Sequence, residues 1–226
     1  MPDAEQHAIA ALIHGRYHVD PRAGEGAPLL VGCHGYGENA ARHLAELRRI
    51  PGAEDWLLCA VEGLHRFYNS RTQEVVGSWM TREGREQAVV DNLRYVIGVL
   101  AEVRRRYRPA PTLVFAGFSQ GVAMAYRAAA ACGWPCAGLL ALAGDVPPDV
   151  ASRPGVALPP VLLGRGTEDA WYDDGKMTRD LEVLARLGVA VETCVFDGGH
   201  VWSDEYRAAA GRFLRRLAGR APISSS

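Results

Sequence analysis

Thr112-Leu113-Val114-Phe115-Ala116-Gly117-Phe118-Ser119-Gln120-Gly121, continued without a break by Val122 to Ala131, is the stretch that decides the fold. Thr112 to Ala116 is an apolar run of strand length, Val122 to Ala131 is a small-residue run that reads as helix, and only the turn around Ser119 separates them. A serine on so sharp a strand-to-helix turn takes a strained backbone, and glycines two residues to either side remove the Cβ atoms that would collide. Such a turn pushes Ser119 out at a sheet edge, beside amides at a helix N-terminus that favour developing negative charge. Gly-x-Ser-x-Gly in this setting is the pattern of a nucleophile turn.

Working outward, Leu29 to Cys33 is a second apolar run, ending in the Gly-rich stretch His34-Gly35-Tyr36-Gly37 and followed by a helical pattern through Leu44 and Leu47. Further strand-like runs lie at Trp56 to Val61, Ala137 to Ala143, Pro160 to Leu163 and Ala190 to Phe196. Helical patterns separate most of them, the clearest over Glu83 to Tyr107, whose C-terminal arginines complement the helix dipole. Continuous apolar strands alternating with helices predict an α/β fold, a three-layer α/β/α sandwich around a mainly parallel sheet. In such sheets reactive groups sit in loops at the carboxyl ends of the strands, the only edge the helices leave open. No repeat or linker divides the chain, so residues 1–221 are expected to form one domain and Pro222 to Ser226 a disordered tail.

Charge and cysteine content narrow the function. The 226 residues are 48% hydrophobic, and 26 acidic side chains balance 25 basic ones, so no net field attracts nucleic acid. Five widely spaced cysteines supply neither a disulfide framework nor a zinc-like set. The apolar run Ala8 to Ile13 is too short for a secretory signal, and no segment reaches the ~20 apolar residues of a membrane span. A cytoplasmic protein with a small-molecule partner is expected.

An acyl-transfer site needs two backbone amides aimed at the oxyanion. The residue after the nucleophile, Gln120, supplies one, and Tyr36 in the Gly-rich stretch is assigned the other. His34 is read as held by internal hydrogen bonds. On this kind of sheet the chain order is serine, acid, histidine, with the last two in loops after later strands. Asp169 in Gly166-Thr167-Glu168-Asp169 and His200 in Gly198-Gly199-His200 satisfy that order, with Glu168, Asp173, Asp174 and Asp145 as rival acids.

Those four motifs together resemble the phospholipase/carboxylesterase family of α/β-hydrolases, over almost the whole chain. The resemblance implies the α/β-hydrolase fold, a Ser119–His200–Asp169 triad, Tyr36 and Gln120 as oxyanion donors, and no metal or organic cofactor. A serine hydrolase cleaving carboxylic esters is expected, with short to medium acyl chains, as a monomer or homodimer. A thioesterase, a lysophospholipase or another acyl-bond hydrolase is the alternative on the same scaffold, and a non-catalytic binding protein a further one. Residues 64–82 depart from the better-known thioesterases. This segment is too irregular for a helix or strand and is expected to act as a lid or substrate loop, with Phe67, Tyr68, Trp79 and Met80 as substrate contacts. Trp171 and Trp202, close behind the proposed acid and base, are expected to form pocket walls.

Overall fold

The apolar runs form one seven-stranded sheet in the computed structural model, which describes residues 4, 5 and 7–218. The strands are β1 (Tyr17–Asp20), β2 (Leu29–Cys33), β3 (Leu57–Val61), β6 (Leu113–Phe118), β7 (Cys136–Leu142), β8 (Val161–Gly166) and β9 (Val191–Phe196). Their order across the sheet is β1-β3-β2-β6-β7-β8-β9, parallel throughout except for β1, which runs antiparallel to β3. The four-residue β1 is too short to register as a periodic run in the sequence. The tail from Pro222 to Ser226 lies outside the described residues.

Successive residues of a strand face opposite sides of the sheet, and both sides here are covered. On β2, Gly32 packs against His43 and Leu47 of α1 (Ala40–Arg48), while the next carbonyls meet α3 (Gln120–Ala131) on the other side. Helix α6 (Asp204–Ala218) joins α1 on the first face through an Arg207–Glu46 ion pair, and α2 (Arg85–Tyr107) packs against α3 on the second. A short α4 (Pro148–Ala151) and an amphipathic α5 (Asp174–Arg186) complete the helices. The core between the layers is one continuous cluster in which β2, β3 and β6 are buried along their whole length. Seven strands in this order, flanked by helices, make the fold an α/β-hydrolase sandwich with a mostly parallel sheet.

Residues 64–82 correct the expectation of an irregular segment. They contain a two-stranded hairpin, β4 (His65–Tyr68) paired antiparallel with β5 (Val75–Ser78), standing apart from the main sheet. The strands are four residues each and half exposed, so the chain between them carries no apolar run to announce them. Among the described residues no helix is long and apolar enough to cross a membrane.

His43 is a cost built into this packing. It is buried, and neither ring nitrogen has a partner in hydrogen-bonding geometry among the described residues. Burial pushes the imidazole down to about 3, opposed only by a weak contact with the Ala116 backbone. The unfolded ring takes a proton near 6.5, so the stability tied to the neutral ring is complete above that pH and is lost as pH falls towards 3. Chemical denaturation of His43→Leu at a series of pH values should show a flatter decline between pH 6.5 and 3 than the native chain; parallel curves would refute this account.

Candidate active site

Ser119 has φ +53° and ψ −122°, a conformation that costs a non-glycine residue ~1–3 kcal/mol and that the surroundings must enforce. Its amide donates to Leu142 O (2.9 Å), and the Val122 amide donates to Ser119 O (3.0 Å), so the turn is held from β7 and from its own helix. The flanking glycines are required by contact: a Cβ on Gly121 would lie 2.0 Å from Cys33 O, and one on Gly117 would lie 2.5 Å from Val122 Cα. The first turn of α3 therefore sits directly on the carboxyl end of β2.

That end carries the Gly-rich stretch, and its amides are spent in a pattern. Gly35 N donates to Glu38 Oε2 (2.8 Å), Gly37 N to Gly77 O (3.0 Å) and Glu38 N to Gly35 O (3.2 Å). Among the described residues the Tyr36 amide has no partner, and neither has the Gln120 amide. Two free N–H groups, one from each loop expected to supply an oxyanion donor, is what such a site requires. Burial raises the Glu38 carboxyl above the usual carboxylate range, against the pull of the Gly35 amide. His34 is buried beneath the loop, donating from Nδ1 to Gly35 O (2.7 Å) and accepting at Nε2 from Gly63 N (2.9 Å), which fits its reading as an internally bonded histidine.

His200 and Asp169 meet. The imidazole Nδ1 lies 2.7 Å from Asp169 Oδ2, and the carboxylate is fully buried while the ring is about one-third exposed. With the proton on Nδ1, Nε2 is left as an acceptor. The other oxygen, Oδ1, accepts from the amides of Trp171 (2.9 Å) and Tyr172 (2.8 Å). The acid and base loops are stitched by Thr167 N to Phe196 O and Glu168 N to Gly198 O, both 2.8 Å. None of the rival acids bonds to His200: Asp173 caps α5, Asp174 pairs with Arg165, Glu168 is exposed, and Asp145 Oδ1 is buried without a partner among the described residues. The His200 ring lies 5.0 Å from that of Phe118, the residue before Ser119, tilted by 40°. The Ser119 hydroxyl itself makes no hydrogen bond among the described residues, so the serine–histidine contact is the one part of the constellation that is not closed; such contacts are often long without substrate.

The expected substrate contacts divide. Phe67 meets the Tyr36 ring at 5.4 Å, and Trp171 turns an edge to His200 at 5.6 Å with Lys176 Nζ 4.1 Å over its face, so these two exposed aromatics border the site. Tyr68, next along β4 from Phe67, points to the opposite face of the hairpin. Trp79 is wholly buried, its indole donating to His34 O (2.8 Å), and Met80 is buried as well. Trp202 is half-buried, its ring against those of Phe118, His43 and Tyr206.

The Gln120 side chain is a feature the sequence reading missed. Its Oε1 accepts from Trp79 N (2.9 Å) and Ser78 Oγ (3.2 Å), and its Nε2 donates to Met80 O (2.9 Å). The helix start that bears Ser119 is thereby tied to the end of the hairpin. Nothing local announces this, because the partners stand about forty residues away.

A family model described as phospholipase/carboxylesterase matches residues 14–217. No curated protein matches the chain in sequence. Among solved structures, esterase PE8 is similar at TM-score 0.72 and 23% identity, covering 91% of this chain and 100% of that one. The Bacillus cereus carboxylesterase is similar at TM-score 0.71 and 17% identity, covering 90% and 94%. Zea mays acyl-protein thioesterase 2 is similar at TM-score 0.67 and 18% identity, covering 91% and 100%. At these identities the structures speak for the fold.

Gln120→Ala keeps the backbone amide and deletes three side-chain hydrogen bonds. Urea denaturation should show a loss of about 1–3 kcal/mol, and an unchanged midpoint would show that the tether is idle.

Proposed function

We propose that this chain, which belongs to the phospholipase/carboxylesterase family of α/β-hydrolases, cleaves carboxylic esters with Ser119 as nucleophile, His200 as general base and Asp169 as the orienting acid. The observation that carries the reading is the 2.7 Å contact between His200 Nδ1 and Asp169 Oδ2, made in a loop that sets the imidazole against Phe118, the residue before the strained Ser119 turn.

In the first step His200 Nε2 takes the Ser119 proton as Oγ attacks the ester carbonyl, and Asp169 stabilises the imidazolium that forms. The free amides of Tyr36 and Gln120 receive the oxyanion. The imidazolium then returns its proton to the leaving alcohol, giving the acyl-enzyme, and water activated by the same histidine releases the acid. The site needs no metal or organic cofactor for this cycle.

The hairpin is a wall of this site. It is fastened to the oxyanion loop by the Gly37–Gly77 pairing, by Asn39 to Glu74 and Val75, and by an Arg42–Glu74 ion pair. Phe67 on that wall and Trp171 opposite present aromatic surface to a small neutral ester of short to medium acyl length. The same geometry serves a thioester, since pocket shape and leaving group decide between the two.

Initial rates on p-nitrophenyl esters from acetate to laurate, with a matched thioester, test the reading. Ser119→Ala should lose at least ~10³ in kcat and escape labelling by a fluorophosphonate, and Asp169→Asn should fall by a comparable factor. Full turnover in Ser119→Ala would sink the mechanism.

A further inference from the structure

Asp169 is oriented from two sides, and the second side has a foundation of its own. Its Oδ1 accepts the amides of Trp171 and Tyr172, so the placement of that short loop sets where Oδ2 meets His200. Trp171 is about half exposed and cannot anchor the loop, whereas the Tyr172 side chain is wholly buried. The phenol of Tyr172 donates to Asp180 Oδ2 at 2.7 Å, and the same oxygen accepts from Val146 N at 3.1 Å. Asp180 stands on α5, Val146 in the loop after β7, and Tyr172 in the loop after β8. One buried carboxylate thus ties three elements together and reaches the triad acid through Tyr172.

We propose that Asp180 and Tyr172 are positioning residues of the catalytic site: the carboxylate of Asp180 holds the Tyr172 phenol, and the phenol holds the amides that orient Asp169. The proposal rests on the reading of Asp169 as the triad acid.

A buried carboxylate in an apolar setting is costly to keep, and a purely structural tie would be made as well by apolar packing. Burial and the nearby Asp145 raise Asp180 to about 6, while the Tyr172 hydroxyl and Val146 amide pull it down. What an apolar side chain cannot supply is an acceptor for a phenol and an amide at once. A fixed tyrosine hydroxyl fixes its own backbone, and an error of well under 1 Å in Asp169 tilts the imidazole away from Ser119.

Three variants separate this from plain packing. Tyr172→Phe keeps the ring and deletes the hydroxyl, Asp180→Asn keeps an oxygen acceptor for both donors, and Asp180→Leu keeps the volume and deletes the acceptor. Kinetics on a p-nitrophenyl ester should show kcat lowered about tenfold in Tyr172→Phe and Asp180→Leu with KM within about twofold, and Asp180→Asn within about threefold of native. The downfield proton resonance of the His200–Asp169 hydrogen bond should weaken or move in the first and third and persist in Asp180→Asn. If Asp180→Leu does not fold, Tyr172→Phe with Asp180→Asn decides the matter. Native kcat and an unmoved resonance in Tyr172→Phe would overturn the proposal, as would Asp180→Asn losing as much as Tyr172→Phe. Asp169→Asn is measured in parallel: turnover retained there overturns the triad reading and this inference with it, whereas turnover lost there and kept in Tyr172→Phe overturns the inference alone.

Discussion

The close approach of the first turn of α3 to the carboxyl end of β2 is the constraint on which the site depends. With Gly121 against the carbonyls of Cys33 and His34, there is no space for a side chain, and the chain can leave β6 only through a turn with φ +53° at Ser119. The strain is held by bonds to Leu142 O and from Val122 N, both on rigid elements. This one contact sets the half-buried Ser119 and Gln120 against the carboxyl end of β2, where the Tyr36 loop begins. Strain of this kind persists only where its surroundings over-determine it.

Polar groups buried around that contact act as fasteners. His34 bridges the oxyanion loop to Gly63, and the Trp79 indole closes on His34 O. Glu62, buried at the end of β3, accepts the Ala40 amide at the start of α1, where Asn39 also caps. Gln120 joins the nucleophile helix to the hairpin, and Asp169 draws in two loop amides besides His200. Each such bond is worth about 1 kcal/mol net but would cost more if left half made, so these fasteners specify geometry more than they add stability. The proposed site accordingly stands on both halves of the sheet, with the Tyr36 loop after β2 and the Asp169 and His200 loops after β8 and β9.

Aromatic residues near the reactive groups illustrate how proximity in sequence differs from a role in the site. Trp171 and Trp202 follow Asp169 and His200 by two residues each, yet one is about half exposed beside the His200 ring and the other packs against Phe118, His43 and Tyr206. Phe67 and Tyr68 are adjacent, and the alternation of a strand sends them to opposite faces. Trp79 belongs to the core. The difference in each case is which neighbour covers the side chain, a matter of packing between distant segments.

The sequence by itself determined the alternation of strands and helices, the parallel sheet and the strained turn at Ser119, and it set Asp169 and His200 in loops after later strands. These are legible because they are written locally: an apolar run of five or six residues, a glycine where a Cβ cannot fit, a loop at a strand's end. Only the tertiary structure decided which carboxylate reaches His200, which amides remain free, that residues 65–78 pair as a hairpin, and that Tyr172 rests on Asp180. Asp169 and Asp173 carry the same side chain four residues apart, but one accepts two backbone amides beside His200 and the other is spent capping α5. Contacts between residues thirty or forty positions apart are set by how the sheet brings loop ends together, and no periodicity along the chain records them.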